Sequence, residues 1–158
     1  MNRLLHLLVA MLMVLHVSAT EQFVVFQPSS DVLSLKDAAI SFDSREHSCV
    51  QRAVGNLQQD FLRVTGKGMG QEARILVGTV GVNKQIDQWV KKGELRDLKG
   101  KMEKYIIKTI GDQLVIAGSD KRGTVFGIYE LSKQIGVSPW YWWADVPVEK
   151  HEDRKSVV

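Results

Sequence analysis

Two β-rich runs on either side of Gly111-Asp112 constrain the fold of this chain more than any other feature. The runs are Tyr105–Ile110 and Gln113–Gly118, and both are rich in branched or aromatic side chains. Two such runs joined by a two-residue turn that contains glycine predict a β-hairpin. The chain is therefore expected to contain an antiparallel strand pair in its C-terminal half.

Three further segments have the apolar periodicity of amphipathic helices. The first is capped by Asp43 or Ser44 and stopped by Gly66, the second spans about 83–92, and the third spans about 121–135 and ends at Gly136. The side chains expected to face the core are Val50, Ala53, Val54, Leu57, Phe61 and Val64 in the first helix, Ile86, Trp89 and Val90 in the second, and Val125, Ile128, Leu131 and Ile135 in the third. Gly123 and Gly127 lie one turn apart, which predicts close packing of the third helix on a sheet.

Short apolar runs at 23–26, 38–42 and 74–79 predict strands. The run at 74–79 is nearly continuous in apolar residues and is expected in the interior of a sheet. The polar stretch 91–101 is expected to be a surface connection. A mixed sheet with helices packed on it buries these faces best, so the predicted class is α+β.

The N-terminus has the pattern of a secretory signal. Arg3 precedes an apolar run at 4–17, and small residues follow at Ser18 and Ala19. Cleavage after Ala19 and a periplasmic or secreted protein are expected, with no membrane attachment after cleavage. The alternative is an uncleaved anchor or a buried helix.

Charge and cysteine content exclude several classes of site. The net charge is only +3 and no basic stripe is present, which disfavours nucleic-acid binding. The single cysteine, Cys49, excludes an internal disulfide and is expected to be a buried, inert thiol. Beyond the signal, only His47 and His151 could join it in a metal site, and they are far apart in sequence. No metal or other cofactor is expected.

A glycine-flanked turn, Gly118-Ser119-Asp120-Lys121-Arg122-Gly123, leads into the third helix. Backbone N–H groups at a helix start can hold an anion, and Lys121 and Arg122 would add positive charge for a uronate carboxylate. The other interpretation, which we favour, is a helix capped by Ser119 or Asp120.

Three of the four tryptophans lie in the segment Trp140-Tyr141-Trp142-Trp143. Aromatic rings stack on sugar faces, but they also fill cores and interfaces. In an extended segment Trp140 and Trp142 would face one way and Tyr141 and Trp143 the other. We expect Trp140 and Trp142 as candidate sugar contacts and Tyr141 and Trp143 as a domain interface, with packing the favoured role for the cluster.

The blocks 75–79, 118–124 and 139–147 together resemble the N-terminal domain of glycoside hydrolase family 115, the xylan α-1,2-glucuronidases. The resemblance implies a small α+β domain that precedes a (β/α)8 barrel. It implies a whole enzyme that removes glucuronic acid, or its 4-O-methyl ether, from xylan-derived oligosaccharides. The family's catalytic carboxylates are expected on the barrel, so none is assigned in this chain.

The predicted organisation is a signal peptide at 1–19, the α+β domain at 20–147, and at 148–158 the start of a charged, solvated linker to the barrel. The chain is thus expected to be an inactive fragment of a secreted glucuronidase. The alternative is a stand-alone module that binds a glycan or protein through Trp140–Trp143.

Overall fold

The fold is described from a computed structural model, in which residues 22–26, 32–35, 37–151 and 155–156 are described. The predicted signal peptide lies outside these residues. In chain order the elements are β1 (Val24–Val25), β2 (Leu33–Ser34), β3 (Ala38–Phe42), α1 (Ser48–Thr65), β4 (Glu72–Thr79), α2 (Lys84–Lys92), a 3₁₀ turn (Arg96–Leu98), β5 (Tyr105–Ile110), β6 (Gln113–Gly118), α3 (Lys121–Gln134), α4 (Tyr141–Ala144) and β7 (Lys155–Ser156).

A mixed sheet organises the domain, in the strand order β3-β4-β6-β5. β4 pairs in parallel with both β3 and β6, and β5 pairs antiparallel with β6. The apolar run at 74–79 therefore lies inside the sheet, as predicted. The α+β class is confirmed.

The predicted hairpin is also confirmed, with Ile110 opposite Gln113 across the turn. Gly111 has a φ of +64° and occupies the first of the two turn positions. A type II′ hairpin requires a positive φ there, which glycine adopts without steric cost.

The sheet buries a different set of side chains on each face. Ile75 and Val77 face the larger core and Leu76 faces the smaller one, as alternation along a strand requires. α1 and α3 pack on each other in the larger core. The predicted inner residues of α1 are all buried, as are those of α3 except the half-buried Val125.

The smaller core contains a contribution that the sequence analysis missed. Ile86 of α2 is buried there with Trp89 and Val90 packed against it, as predicted. The missed contribution comes from the segment that follows α2. Leu95 and Leu98 are also fully buried in this core. The expectation that 91–101 is only a surface connection is therefore wrong, because its two leucines cover the second face of the sheet.

The start of α1 differs from the prediction. The helix begins at Ser48 with His47 at its N-cap, and no side chain caps it. Asp43 instead accepts hydrogen bonds from the guanidinium and then the backbone N–H of Arg45, which lower the pKa of Asp43 to about 2. Cys49 is exposed on the first turn, so the prediction of a buried thiol is wrong.

Gly123 and Gly127 allow α3 to approach the sheet closely, as predicted. A Cβ on Gly127 would lie 2.8 Å from the Cγ2 of Ile116 and 3.2 Å from the Cβ of Tyr105. A Cβ on Gly123 would collide with the backbone carbonyl of Lys104. Both positions therefore require the absence of a side chain.

The described residues after 147 contact the domain through their backbone, while the side chains of Glu149 and Lys150 are exposed. The start of a linker here stays a prediction. The backbone N–H of Glu149 donates to Gly136, and that of His151 donates to Val64 at 2.8 Å. The His151 ring stacks on Phe26 at a centroid distance of 3.5 Å. β7 pairs with both β1 and β2 in a small second sheet.

Within the described ranges, no helix has the length and apolar character needed to cross a membrane.

Candidate functional site

The candidate residues lie at the two ends of α3. Lys121 and Arg122 begin this 14-residue helix, whereas Trp140 and Tyr141 follow its C-terminal end. A helix of this length spans about 20 Å. The two groups therefore do not form one monosaccharide site.

Asp120 caps the N-terminal end of α3. One carboxylate oxygen accepts from the backbone N–H groups of Arg122 and Gly123, each at 2.9 Å, and the other accepts from that of Glu103 at 2.7 Å. The hydrogen bond from Glu103, followed by that from Gly123, lowers the pKa of Asp120. The capping interpretation is confirmed, and the N–H groups that would hold a bound anion already hold this carboxylate.

The two cations of this end remain predicted substrate contacts, but one of them has a partner within the domain. The guanidinium of Arg122 lies 2.9 Å from the carboxylate of Glu103 and 5.9 Å from the centre of the Phe126 ring. Lys121 is exposed. Ser119, the other proposed cap, instead accepts from the backbone N–H of Lys104.

A buried polar network lies beside this end, and the sequence analysis did not find it. Glu46 accepts from the backbone N–H of Thr79 at 2.7 Å and from its hydroxyl at 2.9 Å. The hydroxyl of Thr79 also lies 2.8 Å from that of Thr124 on α3. The network ties the loop before α1 to the carboxyl end of β4 and to α3. Its groups satisfy one another, which indicates a structural role.

The tryptophan segment is not extended. Tyr141–Ala144 forms a one-turn helix with Trp140 at its N-cap. The predicted alternation of side chains is therefore wrong, because alternation requires a strand. Trp140 is 64% exposed and Trp143 is 85% exposed. The side chain of Trp142 lies outside the described part of the structure.

Tyr141 packs against the larger core, and the guanidinium of Arg63 lies 5.3 Å from the centre of its ring. Arg63 also contacts Asp60 at 2.7 Å, and only 6% of the Asp60 side chain is exposed. This chain of contacts connects α4 to the surface of α1.

A pocket of about 210 Å³ lies between α1, α3 and the segment that joins α3 to α4. We call it the α1–α3 pocket, and its lining residues are Asp60, Tyr129, Ser132, Val137, Ser138 and Pro139. The hydroxyl of Tyr129 accepts from the side-chain amide of Asn56 at 2.7 Å. Trp140 follows Pro139 directly and its backbone N–H donates to the hydroxyl of Ser138. Trp140 is therefore linked through its backbone to the lining of this pocket.

Ser132 is the unusual member of this pocket. The residue is 3% exposed, and its Oγ has no hydrogen-bond partner among the described residues. A serine within a helix commonly donates to the carbonyl four residues earlier, which this one does not do. Leaving a buried hydroxyl unpaired costs about 1–3 kcal/mol. The sequence carried no signal of this, because the pocket forms only when the two helices pack.

Neither described pocket brings two carboxylates together. The α1–α3 pocket contains Asp60, and a wider pocket of about 430 Å³ beside Phe26 and Pro147 contains Glu149 as its acidic lining residue. Glycosidases of the common kind need two carboxyl groups across one cleft. Among the described residues, no group of three or more histidine, cysteine or acidic side chains could hold a metal ion.

Comparison with solved structures gives a specific similarity. The chain matches a family GH115 4-O-methyl-α-glucuronidase with specificity for decorated arabinogalactans, at 37% sequence identity and a TM-score of 0.66. The chain resembles one part of a GH115 glycoside hydrolase. The match covers 73% of this chain but only 15% of that enzyme. No protein-family model matches the chain, and no curated protein matches it.

The GH115 resemblance expected from the sequence is therefore confirmed. The match does not test the assignments of Lys121, Arg122, Trp140 and Trp142 to substrate, or of Tyr141 and Trp143 to an interface.

Proposed function

We propose that this chain forms a non-catalytic N-terminal domain of a GH115-type glycoside hydrolase. The observation that carries the proposal is the match itself, at 37% identity over 73% of this chain and 15% of the larger enzyme. A similarity of that kind is what a domain shared between two larger enzymes produces. The whole enzyme is proposed to release glucuronic acid or its 4-O-methyl ether from a polysaccharide.

The proposed lack of catalysis rests on the lining of the described pockets. Each contains one carboxylate, Asp60 or Glu149, where glycoside hydrolysis needs an acid and a second carboxylate facing it across the sugar. The pair is proposed to lie in a part of the enzyme that the matching 15% does not include.

The uronic acid and the polysaccharide that carries it are separate parts of this proposal. The sequence resemblance implied xylan, whereas the matched enzyme has specificity for decorated arabinogalactans. Activity on xylan and activity on arabinogalactan both release a uronic acid. The two activities are expected to differ in the polysaccharide main chain that the enzyme recognises. Substrates of both kinds therefore belong in the test.

The test is a pair of assays for released uronic acid, on glucuronoxylan and on decorated arabinogalactan. The purified chain alone is expected to release none. A chimera in which this domain replaces the matching part of the GH115 enzyme is expected to fold and to release uronic acid. Activity of the chain alone, or a chimera that folds but is inactive, would contradict the proposal.

A stand-alone binding module is the second candidate, and the exposure of Trp140 and Trp143 favours it. Such large exposed aromatic side chains mark a surface that meets a ligand or another protein. The two candidates differ in whether another domain covers these tryptophans. Trp140 and Trp143 become protected from oxidation when they form a domain interface, and stay accessible when they serve a separate module.

The proposal includes secretion through the N-terminal segment. Its support is the pattern of Arg3, the apolar run at 4–17 and the small residues Ser18 and Ala19. Sequencing of the exported protein is expected to read Thr20 first. An intact Met1 on the exported protein would refute cleavage.

A further inference from the structure

We propose that the α1–α3 pocket binds one neutral sugar residue. Its identity as part of the polysaccharide main chain rests on the proposed function, but the binding itself does not. The proposal assigns a ligand to Asp60, Tyr129 and Ser132, none of which was a candidate from the sequence.

The size of the pocket sets the size of its ligand. Sites for drug-sized ligands are usually about 300–1,000 Å³. At about 210 Å³, the α1–α3 pocket lies below that range and suits a single small ring. A longer chain would have to run across its mouth with one residue inserted.

The unpaired polar groups of the pocket match a polyhydroxylated ring. The buried Oγ of Ser132 has no partner among the described residues, and a hydroxyl group both donates and accepts. The Tyr129 hydroxyl already accepts from Asn56, which leaves its proton to donate to a ligand oxygen. Arg63 engages one carboxylate oxygen of Asp60, and a carboxylate can accept further hydrogen bonds on its second oxygen.

The charge of the pocket favours a neutral ligand over a uronic acid. Asp60 is the charged member of the described lining, and its cationic partner Arg63 is not among the lining residues. A carboxylate facing a second carboxylate is repelled, whereas a sugar hydroxyl can donate to it. The pocket is therefore assigned to a neutral main-chain sugar, and the uronic acid is excluded from it.

Aromatic and apolar surface completes the match. Tyr129 lines the pocket and is 44% exposed as a residue, and Val137 and Pro139 supply apolar lining. Sugar rings combine apolar C–H faces with polar edges, so a wall of this kind complements them. Trp140, next to Pro139, is placed to extend the aromatic surface at the rim.

The experiment is calorimetric titration of the purified chain with three ligands: a xylo-oligosaccharide, a galacto-oligosaccharide and free glucuronic acid. One of the two neutral oligosaccharides is expected to bind in preference to glucuronic acid. Ser132→Ala is expected to weaken that binding by roughly five- to ten-fold, because one hydrogen bond is lost. The matched control is Gln88→Ala, an exposed residue of α2, which is expected to bind normally.

The thermal midpoint of each variant separates binding from folding. Ser132→Ala is expected to keep or raise the midpoint while binding weakens, since the hydroxyl is unpaired in the free protein. Tyr129→Phe is the second variant and keeps the ring while removing the hydroxyl. The proposal is overturned by undetectable binding of both neutral ligands, by stronger binding of glucuronic acid, or by normal binding in both variants. The chimera assay reads uronic acid release separately, so its failure and failure of this pocket are distinguishable.

Discussion

Polar side chains lie at both ends of α3, and the two ends differ in whether these side chains are hydrogen bonded within the domain. At the N-terminal end, the carboxylate of Asp120 accepts hydrogen bonds from three backbone N–H groups. The carboxylate of Glu46 accepts from the backbone N–H and the hydroxyl of Thr79. At the C-terminal end, the Ser132 hydroxyl is buried without a partner beside a cavity. Trp140 and Trp143 are exposed just beyond it.

The difference separates groups that hold the fold from groups that are available to a ligand. Buried polar groups in native proteins are almost always hydrogen bonded, so a saturated network needs no further explanation. An unpaired hydroxyl and exposed indoles do need one. The sequence motif at the N-terminal end suggested a site because helix starts attract anions, and the structure fills that position with the chain's own carboxylate.

The largest change in stability is expected when the hydrogen-bonded network of Glu46, Thr79 and Thr124 is broken. Glu46→Ala should lower the free energy of unfolding by about 3 kcal/mol, because both donors of Thr79 lose their acceptor. Urea denaturation measures the change. The control is Glu94→Ala, which removes an exposed ion pair with Lys108 and should cost less than about 1 kcal/mol. Equal effects for the two variants would show that the network contributes nothing special.

The next effect concerns the close approach of α3 to the sheet. Gly127→Ala should destabilise the domain by about 1–2 kcal/mol, because its new methyl would meet Ile116 at 2.8 Å. Gly55→Ala on α1 is the matched control, since no atom lies within 4 Å of its added Cβ. That variant should gain up to about 1 kcal/mol from helix propensity. A stabilising Gly127→Ala would contradict the packing described for α3.

The cap at the N-terminal end should show a smaller effect that depends on pH. Asp120→Ala should cost about 1 kcal/mol at pH 7, as loss of a helix cap commonly does. The pKa of Asp120 is lowered in the fold, so its charge stabilises above the ordinary value of 3.8. The stabilisation that comes from the charge is lost as the pH falls through the lowered pKa of Asp120 in the folded protein.

Asp120→Asn is the companion variant, because asparagine keeps the cap and removes the charge. The difference in stability between it and the native chain should be present at pH 7 and shrink below pH 3.8. A difference that stays constant from neutral to acid pH would contradict the role given to the charge.

The smallest change in stability is expected at the C-terminal end of α3, where the substitution should stabilise the protein instead of destabilising it. Ser132→Ala should raise the free energy of unfolding by a few tenths to about 1 kcal/mol, because an unpaired buried hydroxyl is removed and alanine favours the helix. Differential scanning calorimetry of the unliganded protein measures it. A clear loss of stability would mean that the hydroxyl has a structural partner.

The sequence was sufficient for several features that short-range chemistry decides. The hairpin at Gly111, the inner face of α1 and the cap at Asp120 each depend on residues within one or two turns of each other. The capping error at Asp43 arose because Arg45, two residues away, competes for its carboxylate. The two candidate caps, Asp120 and Asp43, both depend on nearby residues, but the sequence alone did not show that Arg45 would take the carboxylate of Asp43.

The site depended on long-range packing that no local pattern contains. Leu95 and Leu98 are buried because a loop folds over the second face of the sheet. The α1–α3 pocket joins Asp60 to Ser132 across two helices, and the polar network joins Glu46 of the loop before α1 to Thr79 at the carboxyl end of β4. The tryptophan segment was assumed to be extended, whereas backbone hydrogen bonds from Tyr141 and Ala144 close it into a turn.

The measurement that tests this comparison most directly is a backbone amide NMR titration with the neutral oligosaccharide that binds. Shifts are expected at Tyr129, Ser132 and Val137 and not at Arg122, Gly123 or Thr124. That result would place the ligand at the C-terminal end of α3 and leave the N-terminal end structural. Shifts confined to residues 121–124 would contradict the account.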